Sequence, residues 1–239
     1  MARQAVIRKR HIEPKANRNG SRMRDFILGW QDGLVNVLGV VLGVATATKS
    51  FNVIIIAAIA AAFAESISMA AVAYTSFKAE REFYQSEVDR EKREIEDVPW
   101  AERKEIEEIY TRFGFRGSLL KKIVEHITSN KRRWLTVMME QELKIYPAKV
   151  SPLNIAVVVG LSAIIGSFIP VVPFLFLPVQ TAIWATLIIS TIVLFFVGFY
   201  KAKTTIGNPW KSGLEMSVIG IIAALAGYAI GTLLGAKFV

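Results

Sequence analysis

Apolar stretches long enough to cross a lipid bilayer alternate with polar segments along this chain. A helix needs about 20 predominantly apolar residues to span the hydrocarbon core of a bilayer. Five stretches come close to or exceed that length: 26–48, 53–77, 153–171, 179–200 and 212–236. The pattern predicts an all-α membrane protein with five transmembrane helices.

The longest polar segment separates the second and third apolar stretches. It is charged from Lys78 onward and contains neither Gly nor Pro before Pro99, so the second membrane helix should continue to about Asp97. Proline favours the first position of a helix, and Pro99 should therefore start a new one. Further helices are expected at 100–112, 118–129 and 130–145. The second of these is predicted to be amphipathic, with its apolar side formed by Leu119, Leu120, Ile123, Val124 and Ile127.

These patterns divide the chain into four parts. They are a basic N-terminal arm at 1–24, transmembrane helices 1 and 2 at 25–78, a helical module at 79–146 inserted between transmembrane helices 2 and 3, and transmembrane helices 3 to 5 at 147–239.

Composition and charge agree with a multi-pass integral membrane protein. The chain is 53% hydrophobic, and its net charge of +9 is concentrated in the first 24 residues. Because Lys and Arg are retained on the cytoplasmic side, we expect the N-terminus, the module and the lysine loop at 201–211 to be cytoplasmic. The basic arm is then expected to orient the protein in the membrane and to contact anionic membrane lipid, and no nucleic-acid partner is expected.

Ionisable residues inside the apolar stretches are candidates for a transport pathway. Asp32 lies in the first stretch, and Glu65 lies one helical turn before Met69 in the second. An intramembrane carboxylate usually faces a bundle interior or an aqueous path, although a partnered structural acid is the alternative. Asp25, one residue before the first stretch, is either a pathway residue or an interfacial acid.

The module carries two Glu-x-x-Glu pairs on consecutive predicted helices. Residues three apart share a helix face, and a reversal at Pro99 would bring the two pairs together as a carboxylate cluster. Such a cluster favours a divalent cation, and nearby methionines would add ligands that suit Fe²⁺ and later transition metals. The candidate metal ligands are Glu91, Glu94, Glu102, Glu105, Met138, Met139 and Glu142.

A plain alternative is a solvated helical surface in which these glutamates pair with basic neighbours such as Arg90 and Arg93. Other chemistries have little support. The chain has no cysteine, no Glu-x-x-His pair, no Walker A run and no nucleophile elbow. We therefore predict a protein that is not an enzyme, holds no prosthetic group and is not driven by ATP.

Small residues recur every three or four positions in the last apolar stretch: Gly220, Ala224, Gly227, Gly231 and Gly235. Such a ridge permits close approach of two helices, either within one subunit or between two subunits.

The chain resembles the vacuolar iron transporter family over most of its length. The resemblance rests on GWQDGLVNVLGVVLGV in the first apolar stretch, SISMAAVAY in the second, the two Glu-x-x-Glu pairs followed by EEIY, the Met-Met-x-x-Glu of the module and NPWKSGLEMSVIG before the fifth stretch. Their order and spacing together are specific, although no single motif is decisive.

The resemblance implies a homodimeric exporter that moves Fe²⁺, and often Mn²⁺, out of the cytosol in exchange for protons. Its membrane would be the plasma membrane in a prokaryote or the vacuolar membrane in a eukaryote. Its site residues would be the seven module ligands named above, with Asp32 and Met69 in the membrane pathway and Asp25 at the cytoplasmic mouth. The chain departs from the family where members commonly have Gly-Glu-Tyr, because Val72-Ala73-Tyr74 stands there. We hypothesise that Glu65 replaces the missing acid.

Two alternatives stay open at this point. Carboxylates and thioethers select weakly between neighbouring metals, so a Mn²⁺-selective exporter or a broad exporter of divalent metals, including Co²⁺ and Zn²⁺, fits the same residues. A non-transporting metal sensor or scaffold would bind metal in the module without any flux.

Overall fold

A computed structural model describes residues 18–147, 150–204 and 207–238, with side chains from 23 to 235 within those ranges. Its elements are all helical in these ranges. They are α1 (Arg18–Thr48), α2 (Phe51–Asp97), α3 (Pro99–Arg112), α4 (Gly117–Thr128), α5 (Lys131–Val137), a π-helical turn (Met138–Glu142), α6 (Pro152–Phe168), α7 (Val172–Phe176), α8 (Val179–Thr204) and α9 (Pro209–Phe238). The chain forms two compact units, one from the residues before Tyr74 and after Pro152, and the other from Tyr74–Pro152.

The first unit, called here the membrane unit, contains helices long and apolar enough to cross a bilayer. Among the described residues four qualify: Met23–Thr48, Phe51–Asp97, Val179–Thr204 and Pro209–Gly235. Helix α6 is also apolar but has only 17 residues. The all-helical prediction is thus confirmed for the described residues, which contain four candidate membrane spans. Helix α6 is shorter than the span predicted at 153–171.

Proline explains the early end of α6. Pro170 has no N–H to donate, and it disfavours helical backbone in the residue before it, so the helix ends at Phe168. The Thr186 hydroxyl of α8 donates a 2.9 Å hydrogen bond to the freed Pro170 carbonyl. The following segment, predicted as a plain turn, contains the short helix α7, which has Pro173 in its first turn.

Helix α1 lies against α9 through glycines on both helices. A Cβ atom at Gly227 would collide with the carbonyl oxygen of Gly39, and one at Gly231 would collide with that of Gly43. Gly235 is similarly close to Ala47. This part of the small-residue ridge therefore makes a contact within the subunit, which is the first of the two alternatives left open by the sequence.

A second side of α1 faces α6. Cβ atoms at Gly29 and Gly33 would collide with the carbonyl oxygens of Val159 and Ala163. Between these glycine contacts α1 buries apolar side chains that are fully shielded from solvent, among them Leu34, Val37, Leu38 and Val41. Helix α1 is accordingly a packed central element of the membrane unit, which fixes the orientation of the polar residues it carries.

The N-terminal end of α1 differs from the prediction. Residues 18–24 were assigned to the basic N-terminal arm, before the first predicted helix, but α1 begins at Arg18. The rest of the predicted arm, 1–17, lies outside the described residues. At the other end, Lys49 adopts a left-handed backbone with φ 54°, which stops α1 before α2 begins at Phe51.

The second unit contains the module predicted at 79–146 and has its own apolar core. The buried residues of that core are Ile95, Ile106, Leu120, Val124, Ile127, Trp134 and Met138. The predicted break at Pro99 is observed, because α2 ends at Asp97 and α3 starts at Pro99. Helix α4 is amphipathic as predicted, but Leu119, which was placed on its apolar side, is 54% exposed.

The last helix predicted in the module, 130–145, is observed as two different pieces. Helix α5 starts after Asn130, whose side-chain oxygen accepts a 3.0 Å hydrogen bond from the Arg133 amide. The backbone then widens into the π-helical turn, where the Leu143 amide bonds to the Met138 carbonyl five residues earlier. Lys144, with φ 56°, follows the end of that turn.

Candidate functional site

Three glutamates from three elements of the module converge at one point. Glu91 comes from α2, Glu102 from α3 and Glu142 from the π-helical turn, and one carboxylate oxygen of each lies within 4.8 Å of the others. Glu91 and Glu102 are almost fully buried, with exposed fractions of 2% and 4%. The distances and the three oxygen donors are suitable for one divalent cation.

Local backbone structure explains the convergence. Only Val98 separates α2 from α3, so the chain reverses sharply and Glu102 in the first turn of α3 returns towards Glu91. The Glu102 amide bonds to the Val98 carbonyl at 3.3 Å, which holds that first turn in place. The π-helical turn presents Glu142, and such turns occur frequently at functional sites.

The converging glutamates have unsatisfied polar atoms. Oε2 of Glu91, of Glu102 and of Glu142 is buried and has no hydrogen-bond partner among the described residues. A buried carboxylate oxygen without a partner is energetically unfavourable, and protons or a cation relieve that cost. The cluster is therefore suited to bind protons or a cation.

Burial raises the pKa of all three carboxyl groups. The pKa of Glu102 is raised to about 7, first by burial and then by the negative charge of Glu105. The pKa of Glu142 is raised to about 8 by burial and by its hydrogen bond with Glu105. Burial and the nearby charge of Glu94 raise the pKa of Glu91, while Arg90 opposes that shift. Near neutral pH the cluster therefore holds protons that a divalent cation would displace.

Each of the two predicted Glu-x-x-Glu pairs contributes only one residue to the central cluster. Glu91 and Glu102 lie in the central cluster, whereas Glu94 and Glu105 flank it. Glu105 is partly buried and hydrogen-bonds with Glu142. The carboxylate of Glu94 is 42% exposed and pairs with Arg90, whose Nε is 3.6 Å from Glu94 Oε2.

Met138 and Met139 are both buried, with exposed fractions of 0% and 3%. Met138 belongs to the apolar core of the module, together with residues such as Ile95 and Trp134. Its burial is therefore explained by packing alone, and a ligand role for either thioether stays a prediction.

Two of the predicted pathway residues contact each other in the membrane unit. The side chains of Asp32 in α1 and Glu65 in α2 form a hydrogen bond, and Asn36 lies next to Glu65. A hydrogen bond between two carboxyl groups requires a proton on one of them. Met69 is partly buried on α2, one turn after Glu65.

Asn36 was not identified from the sequence, although its position one helical turn after Asp32 was an available signal. It also lines a cavity of about 690 Å³ whose wall is otherwise almost entirely apolar and includes Gly39, Gly43, Gly227 and Gly231. Asn36 therefore belongs both to the Glu65 contact and to the cavity wall.

Asp25, predicted as a pathway acid or an interfacial one, is 5% exposed. Its Oδ1 accepts a 3.3 Å hydrogen bond from Nη2 of the neighbouring Arg24, whose side chain is largely exposed. A buried carboxylate with an adjacent arginine differs from a simple solvated acid at an interface.

Comparison with known proteins identifies the family. The model of the VIT family matches residues 23–232. A protein of Centaurea cyanus named vacuolar iron transporter is 32% identical over 213 residues, which are 88% of this chain and 87% of that protein. Vacuolar iron transporter 1 of Arabidopsis thaliana is also 32% identical, over 88% of this chain and 85% of its own length. A vacuolar iron transporter of Plasmodium falciparum is 29% identical over 91% of this chain and 84% of its length.

The family match includes most of α1, the module and most of α9, and therefore both groups of candidate residues. The resemblance recognised in the sequence motifs is confirmed. This chain belongs to the VIT family and is an integral membrane protein of metal-ion transport.

Proposed function

We propose that this protein is a proton-coupled transporter that moves Fe²⁺ out of the cytosol. The observation that carries the proposal is the convergence of Glu91, Glu102 and Glu142, each with a buried and unpartnered carboxylate oxygen. Oxygen donors of this kind bind divalent cations, and the family is one of metal-ion transporters. Fe²⁺ is the substrate, with Mn²⁺, Co²⁺ and Zn²⁺ as candidate competitors.

In this proposal the module collects the metal. Glu91, Glu102 and Glu142 supply the central oxygen ligands, and Glu94 and Glu105 flank them. Met138 and Met139 would add thioether ligands, which favour Fe²⁺ and later transition metals over Mg²⁺ or Ca²⁺. The raised pKa values of Glu102, about 7, and Glu142, about 8, support an exchange of protons for metal near neutral pH.

The pathway through the membrane would use Asp32, Glu65 and Met69, with Asp25 at the cytoplasmic mouth. Hydrogen bonding between Asp32 and Glu65 supports a shared proton-carrying pair. Protonation of these carboxyl groups from the acidic side would lower their affinity for the cation and release it. Glu65 would thereby replace the acid that the Val72-Ala73-Tyr74 segment lacks.

We further propose five transmembrane helices, with α6 as the third, and a homodimer. A helix of 17 residues rises about 25 Å, somewhat less than the hydrocarbon core of about 30 Å, and local thinning of the bilayer accommodates such a difference. The N-terminus and the module would be cytoplasmic, in a vacuolar or a plasma membrane.

The test is metal flux in proteoliposomes that contain the full-length protein. Wild-type protein should take up Fe²⁺ and move protons in the opposite direction, and Asp32→Asn should abolish both while it preserves the size of the side chain. A panel of Fe²⁺, Mn²⁺, Co²⁺, Zn²⁺ and Mg²⁺ measures selectivity. Metal binding without flux would favour a sensor or scaffold, and wild-type-like flux in Asp32→Asn would refute the pathway.

A further inference from the structure

Arg90 lies beside the carboxylate cluster and contacts three acids on its own helix. Its Nη2 is 2.9 Å from Glu87 Oε2 and 3.5 Å from Glu91 Oε1, and its Nε is 3.6 Å from Glu94 Oε2. Two of these partners, Glu91 and Glu94, are candidate metal ligands. The third, Glu87, belongs to neither Glu-x-x-Glu pair.

The guanidinium of Arg90 attracts one carboxylate oxygen of Glu91 and the carboxylate of Glu94. Glu91 directs Oε1 towards Arg90, while its Oε2 is buried without a hydrogen-bond partner. Glu94, the more exposed of the two, is absent from the central group of converging oxygens and is paired with Arg90 instead. The Arg90 guanidinium and a bound divalent cation would therefore interact with the same two carboxylates, those of Glu91 and Glu94.

We propose that Arg90 is an affinity-determining residue that competes with the divalent cation for Glu91 and Glu94. The inference rests on the proposed metal-binding function of the module. Metal binding draws Glu94 away from the guanidinium, which retains Glu87 as its closest partner at 2.9 Å. Arg90 thus weakens the site and makes its metal exchangeable, as a module that passes its metal on requires.

Electrostatics sets the sign and the scale of this effect. The guanidinium repels a nearby divalent cation and stabilises the carboxylates that the cation must capture, so both contributions oppose metal binding. The side chain of Arg90 is 44% exposed, and solvent therefore screens part of the interaction. We expect a change of about three- to tenfold in apparent Kd at low ionic strength.

The experiment is equilibrium dialysis of Mn²⁺ against the full-length protein in detergent. Arg90→Gln should bind Mn²⁺ about three- to tenfold more tightly than wild type. The matched control is Arg93→Gln, which removes the same charge from the same helix. Arg93 is exposed and has no ion pair with Glu91 or Glu94 among the described contacts. Its substitution should change the Kd less than about twofold.

A double-mutant cycle with Glu87→Gln tests the competition itself. When Glu87 is neutralised, Arg90 should pair more closely with Glu91 and Glu94, so Mn²⁺ binding should weaken. In the Arg90→Gln background the same substitution should have a much smaller effect. Equal effects in both backgrounds would overturn the inference, because they would report only a general loss of negative charge.

Other outcomes are equally decisive. Equal tightening by Arg90→Gln and Arg93→Gln would overturn the inference, and weaker binding by Arg90→Gln would make Arg90 a residue that positions Glu91. Loss of Mn²⁺ binding in Glu102→Gln, with wild-type affinity in Arg90→Gln, would overturn this inference and leave the proposed function standing. Absence of binding by the wild type would overturn both.

Discussion

Asp32 in α1 and Glu65 in α2 hydrogen-bond to each other within the membrane unit. Sequence spacing placed Glu65 one turn from Met69 but contained no information on its partner across the helix interface. The pair connects two residues that were predicted separately, and it brings Asn36 into the same polar group.

The first prediction concerns this pair. Glu65→Gln keeps a side chain that can donate a hydrogen bond to Asp32 but cannot carry an exchangeable proton. We expect the variant to fold normally and to lose most of the dependence of Fe²⁺ uptake on a pH gradient. Proteoliposomes with and without an imposed gradient measure this dependence, and Glu65→Asp serves as the control. Full dependence in Glu65→Gln would exclude a proton-carrying role for Glu65.

The second prediction concerns metal binding by the module. Glu102→Gln removes a central oxygen ligand with little change in volume, and we expect apparent Mn²⁺ affinity to fall at least about tenfold. Glu107→Gln, an exposed residue on the same helix, provides the charge-matched control and should change the affinity less than about twofold. Equilibrium dialysis measures both. Equal losses in the two variants would favour the solvated-surface interpretation.

The third prediction concerns pH and the stability of the module in protein freed of metal with a chelator. Glu102 and Glu142 have a higher pKa in the folded state, about 7 and about 8, than the ordinary carboxyl value of 4.5. The folded state then binds more protons than the unfolded state, so stability should fall as pH rises from about 4.5 to about 8 and level off above that.

Hydrogen exchange of peptides from 131–146, corrected for the intrinsic effect of pH on exchange, measures this change. Glu102→Gln should reduce the pH dependence. Added Mn²⁺ should restore protection at pH 8, because the cation replaces the lost protons. Protection that increases steadily from pH 5 to pH 8 would contradict the raised pKa values.

The fourth prediction concerns the contact between α1 and α9. Gly231→Leu would place side-chain atoms against the Gly43 carbonyl and the Thr46 hydroxyl, so the helices must separate. We expect a loss of about 1–3 kcal/mol or more in stability. Ala229→Leu on an exposed part of the same helix is the control. Thermal unfolding in detergent compares the two, and equal melting temperatures would rule out a close packing of α1 against α9 at Gly231.

The fifth prediction separates two neighbouring leucines of α4. Leu120 is 7% exposed and belongs to the module core, whereas Leu119 is 54% exposed. Leu120→Ala should cost about 2–5 kcal/mol, and Leu119→Ala should cost less than about 0.5 kcal/mol in detergent. Hydrogen exchange across α3 and α4 would report the difference. A large effect of Leu119→Ala would indicate that this side chain is covered by another surface.

Much of the fold follows from local sequence. The apolar stretches predicted α1, α8 and α9, and the absence of Gly and Pro before Pro99 predicted the long helix α2 and the start of α3. These features depend on hydration and on the covalent geometry of proline, which act over a few residues. The same local rules, applied to a run of apolar residues, overestimated α6, because Pro170 interrupts the run.

The candidate residues of the module were also visible in the sequence, since glutamates three apart share a helix face. Their arrangement was not. Only the fold showed that Glu91 and Glu102 lie in the central cluster while Glu94 and Glu105 do not. Only the fold brought Glu142, already a candidate, to that cluster on a π-helical turn and placed Arg90 against two candidate ligands. Local spacing fixes which residues share a face of one helix, whereas convergence depends on the rotation and separation of different helices, which packing of the whole chain determines.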